Sequence, residues 1–273
     1  MVFEQIIKPA WIARKEHAFF LGFFYTLLAI ISSKIIFPSS FGLMSVAFTA
    51  ILLVPSLNIL LATEENEEVR EKKFSLRLLW KDHNDILRVY IFMFLGIFFA
   101  FALATVFLGS NTIIKGFSPQ LNAAGFRGGA TDYLNSFFSI VKNNLIIFIV
   151  CFILSLVYGA GAVIFLAWNA SVWGVVFGFV AKNSAIGGGN VLGKFAEIIL
   201  PVMPHLTTEA LAYVWAAIVG GIVSKAIIRE KVGSKKFNHI ITDGLILMAL
   251  GLIVVVAAGL LEVYFYGRFF AMR

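Results

Sequence analysis

Six apolar stretches, at roughly 17–37, 41–62, 89–109, 140–181, 195–227 and 240–266, dominate this chain of 273 residues. Most match the roughly 20 residues that carry an α-helix across a hydrocarbon core. Two are too long for one crossing. The 140–181 stretch would give two crossings by turning near Trp168-Asn169, and 195–227 contains Pro201 and Pro204, which remove helical N–H donors and disrupt a helix running through them. The expected fold is all-α: a polytopic transmembrane helical bundle of about six or seven membrane segments, with a broken or re-entrant helix near Pro201-Pro204. It forms a single integral membrane domain over 1–273.

Composition agrees with that reading. A soluble domain is near half apolar and a quarter charged, whereas this chain is 60% hydrophobic and 14% charged. Its 29 Phe residues suit surfaces that face lipid. The formal charge of +7 does not point to nucleic acid, because the basic residues sit in short links between apolar runs and do not interleave with aromatics on a polar face. The single cysteine, Cys151, lies inside an apolar run, which leaves neither a disulfide framework nor a thiolate metal cluster. No cofactor is expected.

The basic links set a topology. Lys8, Arg14 and Lys15 lie before the first span; Arg70, Lys72, Lys73, Arg77, Lys81 and Arg88 lie in the link 63–88; Lys225, Arg229, Lys231, Lys235 and Lys236 lie near 225–239. By the positive-inside rule these segments and the N-terminus are cytoplasmic, in a multi-pass protein of the cell membrane. The 110–139 loop, with Lys115 and Arg127, and the 182–194 link, with Lys182 and Lys194, are then external. No signal-peptide cleavage site follows the first span, so it is expected to be retained. Phe3, Ile6, Ile7, Ala10 and Trp11 recur at helical spacing, as in an interfacial helix over 1–16. Glu68 and Lys72 are spaced as a pair on a solvated helix.

The most distinctive polar signal is Pro201-Val-Met-Pro204-His205-Leu-Thr-Thr-Glu209, leading into an apolar helix. Four-residue spacing puts His205 and Glu209 on one helix side. Ala212, Ala216, Gly220 and Ser224 follow on or near that face, and small residues there let another helix approach closely. Ionisable residues inside a membrane segment are costly and point to a functional site or to an internal bond holding the bundle together. Both readings stand at this point. A second series comprises Asn143, Asn144, Ser155, Gly159, Gly161, Asn169, Gly174 and Gly178, in which Ala170, Gly174 and Gly178 form a packing stripe. Asn169 lines a cavity or caps the expected turn. Glu262 belongs at the same depth as His205 and Glu209 under this topology, so the three are candidates to converge. With only His205 and Glu209 visible locally as ligands and no HExxH, a transition-metal site is not the favoured reading of this segment, and any metal stays unknown.

Two near-matches carry nothing. Gly188 to Phe195 has P-loop spacing, but Phe195 replaces the hydroxyl that would bind magnesium and no strand precedes it. Glu67-Glu68-Val-Arg-Glu-Lys72 echoes the paired glutamates of intramembrane prenyl-protein proteases but falls in an aqueous link.

Taken in order, Asn143-Asn144, Gly159-Ala-Gly161, Asn169, Gly174, Pro204-His205 with Glu209, and Glu262 resemble the stage II sporulation protein M family. The resemblance covers the family-like core 140–266, and the Pro-His-x-x-x-Glu helix start is its most specific part. The family's Asn-Gly pair stands here as Asn169-Ala170. The resemblance implies a small all-helical prokaryotic membrane protein, named for engulfment during spore formation and acting there beside partners that remodel the cell wall. Three functions compete. A channel or transporter would expose His205 and Glu209 to a small ion or polar solute through a watery cavity. A non-catalytic scaffold or accessory subunit in envelope remodelling would keep that site dry and fully paired, and would dock a second copy or another membrane protein on its small-residue faces. Intramembrane hydrolysis ranks last, since no nucleophile is visible, and the chain is not expected to be an enzyme. The lipid bilayer is the one partner common to all three.

Overall fold

The computed structural model describes residues 14–68, 76–123, 133–186 and 188–271. Among these residues the chain forms nine α-helices and no strand: α1 (Lys15–Ile36), α2 (Phe41–Glu68), α3 (Leu76–Phe107), α4 (Ser110–Gly116), α5 (Ser118–Ala123), α6 (Tyr133–Tyr158), α7 (Val163–Ser184), α8 (Val191–Arg229) and α9 (Lys235–Ala271). Seven of them, all but α4 and α5, are long and apolar enough to cross a membrane. The chain is a multi-pass, all-helical membrane protein. The expected N-terminal interfacial helix falls almost wholly on 1–13, and the Glu68–Lys72 pair also reaches beyond the described residues.

Lipid-facing stripes explain why so many apolar side chains lie on the outside. On α1, Phe20, Phe24, Leu28, Ile31 and Ile35 are exposed at helical spacing. Ile146, Ile149, Ile153 and Val157 do the same on α6, and Leu245, Leu252, Ile253, Val256 and Leu260 on α9. Such faces suit hydrocarbon, where exposing polar groups is what costs energy. Helix α8 is the opposite case: Ala212, Tyr213, Val214, Ala216 and Ala217 are all fully enclosed, making it the axis around which α6, α7 and α9 pack.

Small residues set the close approaches. A β-carbon at Gly174 would sit 2.8 Å from the Phe101 β-carbon, and one at Gly178 would sit 2.8 Å from the Ala102 carbonyl oxygen, so the stripe on α7 is filled by α3. Gly220 of α8 likewise abuts α6, with the Ser155 β-carbon 2.9 Å from where its own would lie. These faces are consumed inside the chain.

Two expectations need correction. The turn within 140–181 lies at Gly159–Ala162 and not at Trp168-Asn169, because Gly159 adopts φ 64°, a conformation glycine enters without steric penalty. Asn58 of α2 fastens that turn, its Oδ1 accepting from the Ala160 N–H at 3.2 Å. Gly159 and Gly161 thus build a turn and not a helix-packing face. The second correction concerns the prolines: α8 runs unbroken for 39 residues through Pro201 and Pro204. Proline's fixed φ is itself a helical value, and the carbonyls left without donors are two, those of Glu197 and Leu200. The helix neither breaks nor re-enters there. The Asn190 side chain starts it, accepting from the Leu192 N–H at 3.0 Å.

Helices α4 and α5 cover the end of the bundle where α3 and α7 finish and α8 begins. Gln120 donates to the Gly42 carbonyl at 2.8 Å, and Phe117 meets Phe41 edge-on with centroids 4.8 Å apart. At the same end, Lys182 of α7 donates to the Val106 and Leu108 carbonyls, where α3 has run out of helical donors.

Candidate functional site

Three titratable side chains meet near that same end. His205 and Glu209, one turn apart on α8, are 5% and 7% exposed, and Glu262 reaches them from α9, where it is half-buried. One donor atom from each of the three lies within 4.8 Å of the others. The antiparallel pairing of α8 with α9 brings this about: the two helices leave their shared link at Glu230–Ser234 and rise side by side. Glu262 thereby returns to the level of His205.

Hydrogen bonding within the cluster is uneven. The Tyr213 hydroxyl, one turn below, donates to Glu209 Oε1 at 2.6 Å. His205 Nδ1 is buried without a hydrogen-bond partner. This nitrogen is therefore bonded neither to Glu209 nor to a freed backbone group, the two arrangements by which the structural reading has the pair hold the bundle together. Between them along α8, the Thr207 and Thr208 hydroxyls fold back onto the carbonyls of Met203 and Pro204 at 2.7–3.1 Å, turning their polarity into the helix and not towards the cluster.

Tyr213 escaped sequence reasoning although its signal was present. His205, Glu209 and Tyr213 repeat at intervals of four, so they stack on one face of α8.

The asparagines divide. The buried face of α6 reads Asn144, Phe148, Cys151 and Ser155. Ser155 lies against Gly220 of α8 and Phe148 against Gly251 of α9, so this face turns to both helices that carry the cluster. Stepping both parallel helices back by the 11 residues from Gly220 to Glu209 brings Glu209 level with Asn144. Asn144 Nδ2 is buried without a partner, while its Oδ1 takes a weak bond from Asn143 at 3.5 Å. Asn169 stands apart. It lies near the other end of α7, and its amide donates to the Phe165 carbonyl of its own helix at 2.8 Å.

A family model described as stage II sporulation protein M matches residues 89–265. The chain belongs to the stage II sporulation protein M family. The matched segment holds the whole cluster with Tyr213, Asn143, Asn144, Asn169 and the Gly159 turn, and it begins at Val89 in α3. It thus takes in more of the bundle than the family-like core 140–266, and the α3–α7 packing belongs to it. No curated protein and no solved structure matches the chain.

Proposed function

We propose that this stage II sporulation protein M family member moves a small ion or polar solute across the cell membrane by way of the His205, Glu209 and Glu262 cluster. The observation that supports this reading is the imbalance of the cluster: two carboxylates and an imidazole within 4.8 Å, with the buried His205 Nδ1 left unpartnered. Residues kept as internal glue would be mutually bonded, because an unsatisfied polar group in an apolar interior loses stability to desolvation. A site that takes in a polar visitor leaves that capacity open. The small-residue faces that a scaffold would offer to partners are occupied by α3 and α6.

In this reading Arg14 and Lys15, Arg88, and the group from Lys225 to Lys236 face the cytoplasm, since all lie at one end of the bundle and positive links remain inside. The cluster then sits in the outer half of the membrane. The test is ion and solute flux across liposomes holding the purified chain, the natural sequence beside His205→Ala and Glu209→Gln at matched incorporation. Flux that disappears in both variants is expected. A natural protein that passes nothing, with variants that only melt earlier, would sink the reading in favour of the scaffold.

A further inference from the structure

We propose that His205, Glu209 and Glu262 bind one divalent transition-metal ion through an imidazole nitrogen and two carboxylate oxygens. This deepens the transport reading by naming the class of ion; it rests on that reading only for the ion's release across the membrane.

Geometry is the first support. A metal bonded at about 2.1 Å to nitrogen and oxygen donors holds them roughly 3–4 Å apart. Separations of at most 4.8 Å reach that range by small side-chain rotations, without moving the helices. The second support is independent of clustering: His205 is 5% exposed and its Nδ1 has no hydrogen-bond partner, so a lone pair or N–H is held in the interior with nothing to meet. Metal-binding histidines bind through one ring nitrogen, and a buried imidazole of this cluster that keeps a nitrogen unpartnered has donor capacity which the protein itself does not use.

Charge is the third. Two carboxylates this close in an apolar bundle repel each other and are poorly solvated, and a dication is the partner that neutralises both. Tyr213 supports the role from outside the donor set. Its hydroxyl, 2.6 Å from Glu209 Oε1, fixes the rotation of that carboxylate and leaves the other oxygen to the ion.

Donor chemistry narrows the ion. One nitrogen and two oxygens suit Mn²⁺, Fe²⁺, Co²⁺ and Zn²⁺; an all-oxygen shell would favour Ca²⁺ or Mg²⁺, and thiolates would favour Cu⁺. The buried Cys151 is on the neighbouring face of α6 but is not part of the group of three. Three protein donors also leave positions open. Structural zinc sites close with four, whereas open ones exchange ligands, as a site that must load and unload requires.

The test uses the full chain, purified in detergent and stripped with a chelator, then dialysed to equilibrium against Zn²⁺ or Mn²⁺ alone, with bound metal measured by elemental analysis. One equivalent per chain is expected. His205→Ala and Glu262→Gln are expected to weaken binding by more than tenfold, and Tyr213→Phe, as a positioning residue, by about tenfold with the stoichiometry kept. His239→Ala should bind as the natural chain does, since His239 pairs with Asp243 at 3.2 Å at the other end of α9. Because variants can fail to fold, X-ray absorption on the Co²⁺-loaded natural protein gives a second reading, and a shell of nitrogen and oxygen containing one imidazole is expected. Absence of stoichiometric binding of either ion to the natural chain, binding unchanged by His205→Ala and Glu262→Gln, or a shell without imidazole would each overturn the proposal. Metal bound without flux leaves this site standing and defeats transport; flux lost in the variants without any metal bound does the reverse.

Discussion

Replacing glycine by alanine at two positions of α8 should move stability in opposite directions. At Gly193, in the first turn, the nearest atoms to a new β-carbon belong to Asn190 at 3.8 Å, an ordinary contact. Alanine is then limited only by helix propensity, which favours it over glycine by about 0.8–1 kcal/mol in a helix interior and by less near an end. At Gly220 the same methyl would press on the Phe152 carbonyl and lie 2.9 Å from the Ser155 β-carbon and 3.1 Å from the Leu156 nitrogen. Two of these atoms are backbone, so relief requires α6 and α8 to separate. Overpacking of this kind costs about 1–3 kcal/mol, and more where backbone must shift. Because backbone must shift, the upper part of that range applies, about 2–3 kcal/mol, and subtracting a propensity gain of about 1 kcal/mol leaves a net loss of about 1–2 kcal/mol. Thermal unfolding in detergent should show it as a fall of roughly 2–8 °C for Gly220→Ala, at about 2–4 °C per kcal/mol for a chain of this size. Gly193→Ala should be unchanged or slightly more stable. A Gly220→Ala protein as stable as the natural one would refute the claim that α6 and α8 meet backbone to backbone.

The Gly159 turn gives a coupled prediction: Gly159→Ala should lose about 1–2 kcal/mol for holding φ at 64°. Part of that loss should vanish in an Asn58→Ala background, since the new β-carbon would lie 2.8 Å from Asn58 Oδ1; a double-mutant cycle by thermal melting measures the coupling. Lys182→Met removes the donor that closes the end of α3, and chemical unfolding should show a loss of about 1 kcal/mol, small because the ammonium is only half-buried. Asn169→Leu, whose amide serves its own helix, should leave liposome flux at the natural rate; a drop as large as that of Glu209→Gln would return Asn169 to the site.

Apolar run length carried most of the fold. Seven crossings follow from stretches that hydrocarbon forces into helices, and the lipid-facing stripes of α1, α6 and α9 are that same requirement seen on the surface. What went astray were the two places where a run exceeds one crossing. Trp168-Asn169 looked polar enough to turn, but a reversal depends on backbone conformation, and Gly159 supplies it. Pro201 and Pro204 looked like a break, but the flanking turns of α8 are packed on their neighbours, so tertiary contact outweighs two absent donors.

The site was half legible. Four-residue spacing is a local property, so the sequence displays His205 with Glu209 and, in hindsight, Tyr213. Glu262 lies 53 residues beyond Glu209, and its arrival depends on α8 and α9 pairing in register, which spacing alone does not encode. Depth, inferred from counting crossings, pointed to it. The orphaned Nδ1 of His205 is a matter of side-chain geometry and has no sequence signature.

Whether water reaches the cluster tests the account most directly. In a Cys151→Ser background the chain lacks thiols, and Glu209→Cys then places one at the centre of the site. A membrane-impermeant methanethiosulfonate, added to either face of sealed vesicles, reacts with the thiolate, which forms where water has access. Modification from the face on which α8 begins is the expected result. A folded protein left unmodified from both faces would mean a dry cluster, and would contradict a site built to admit an ion.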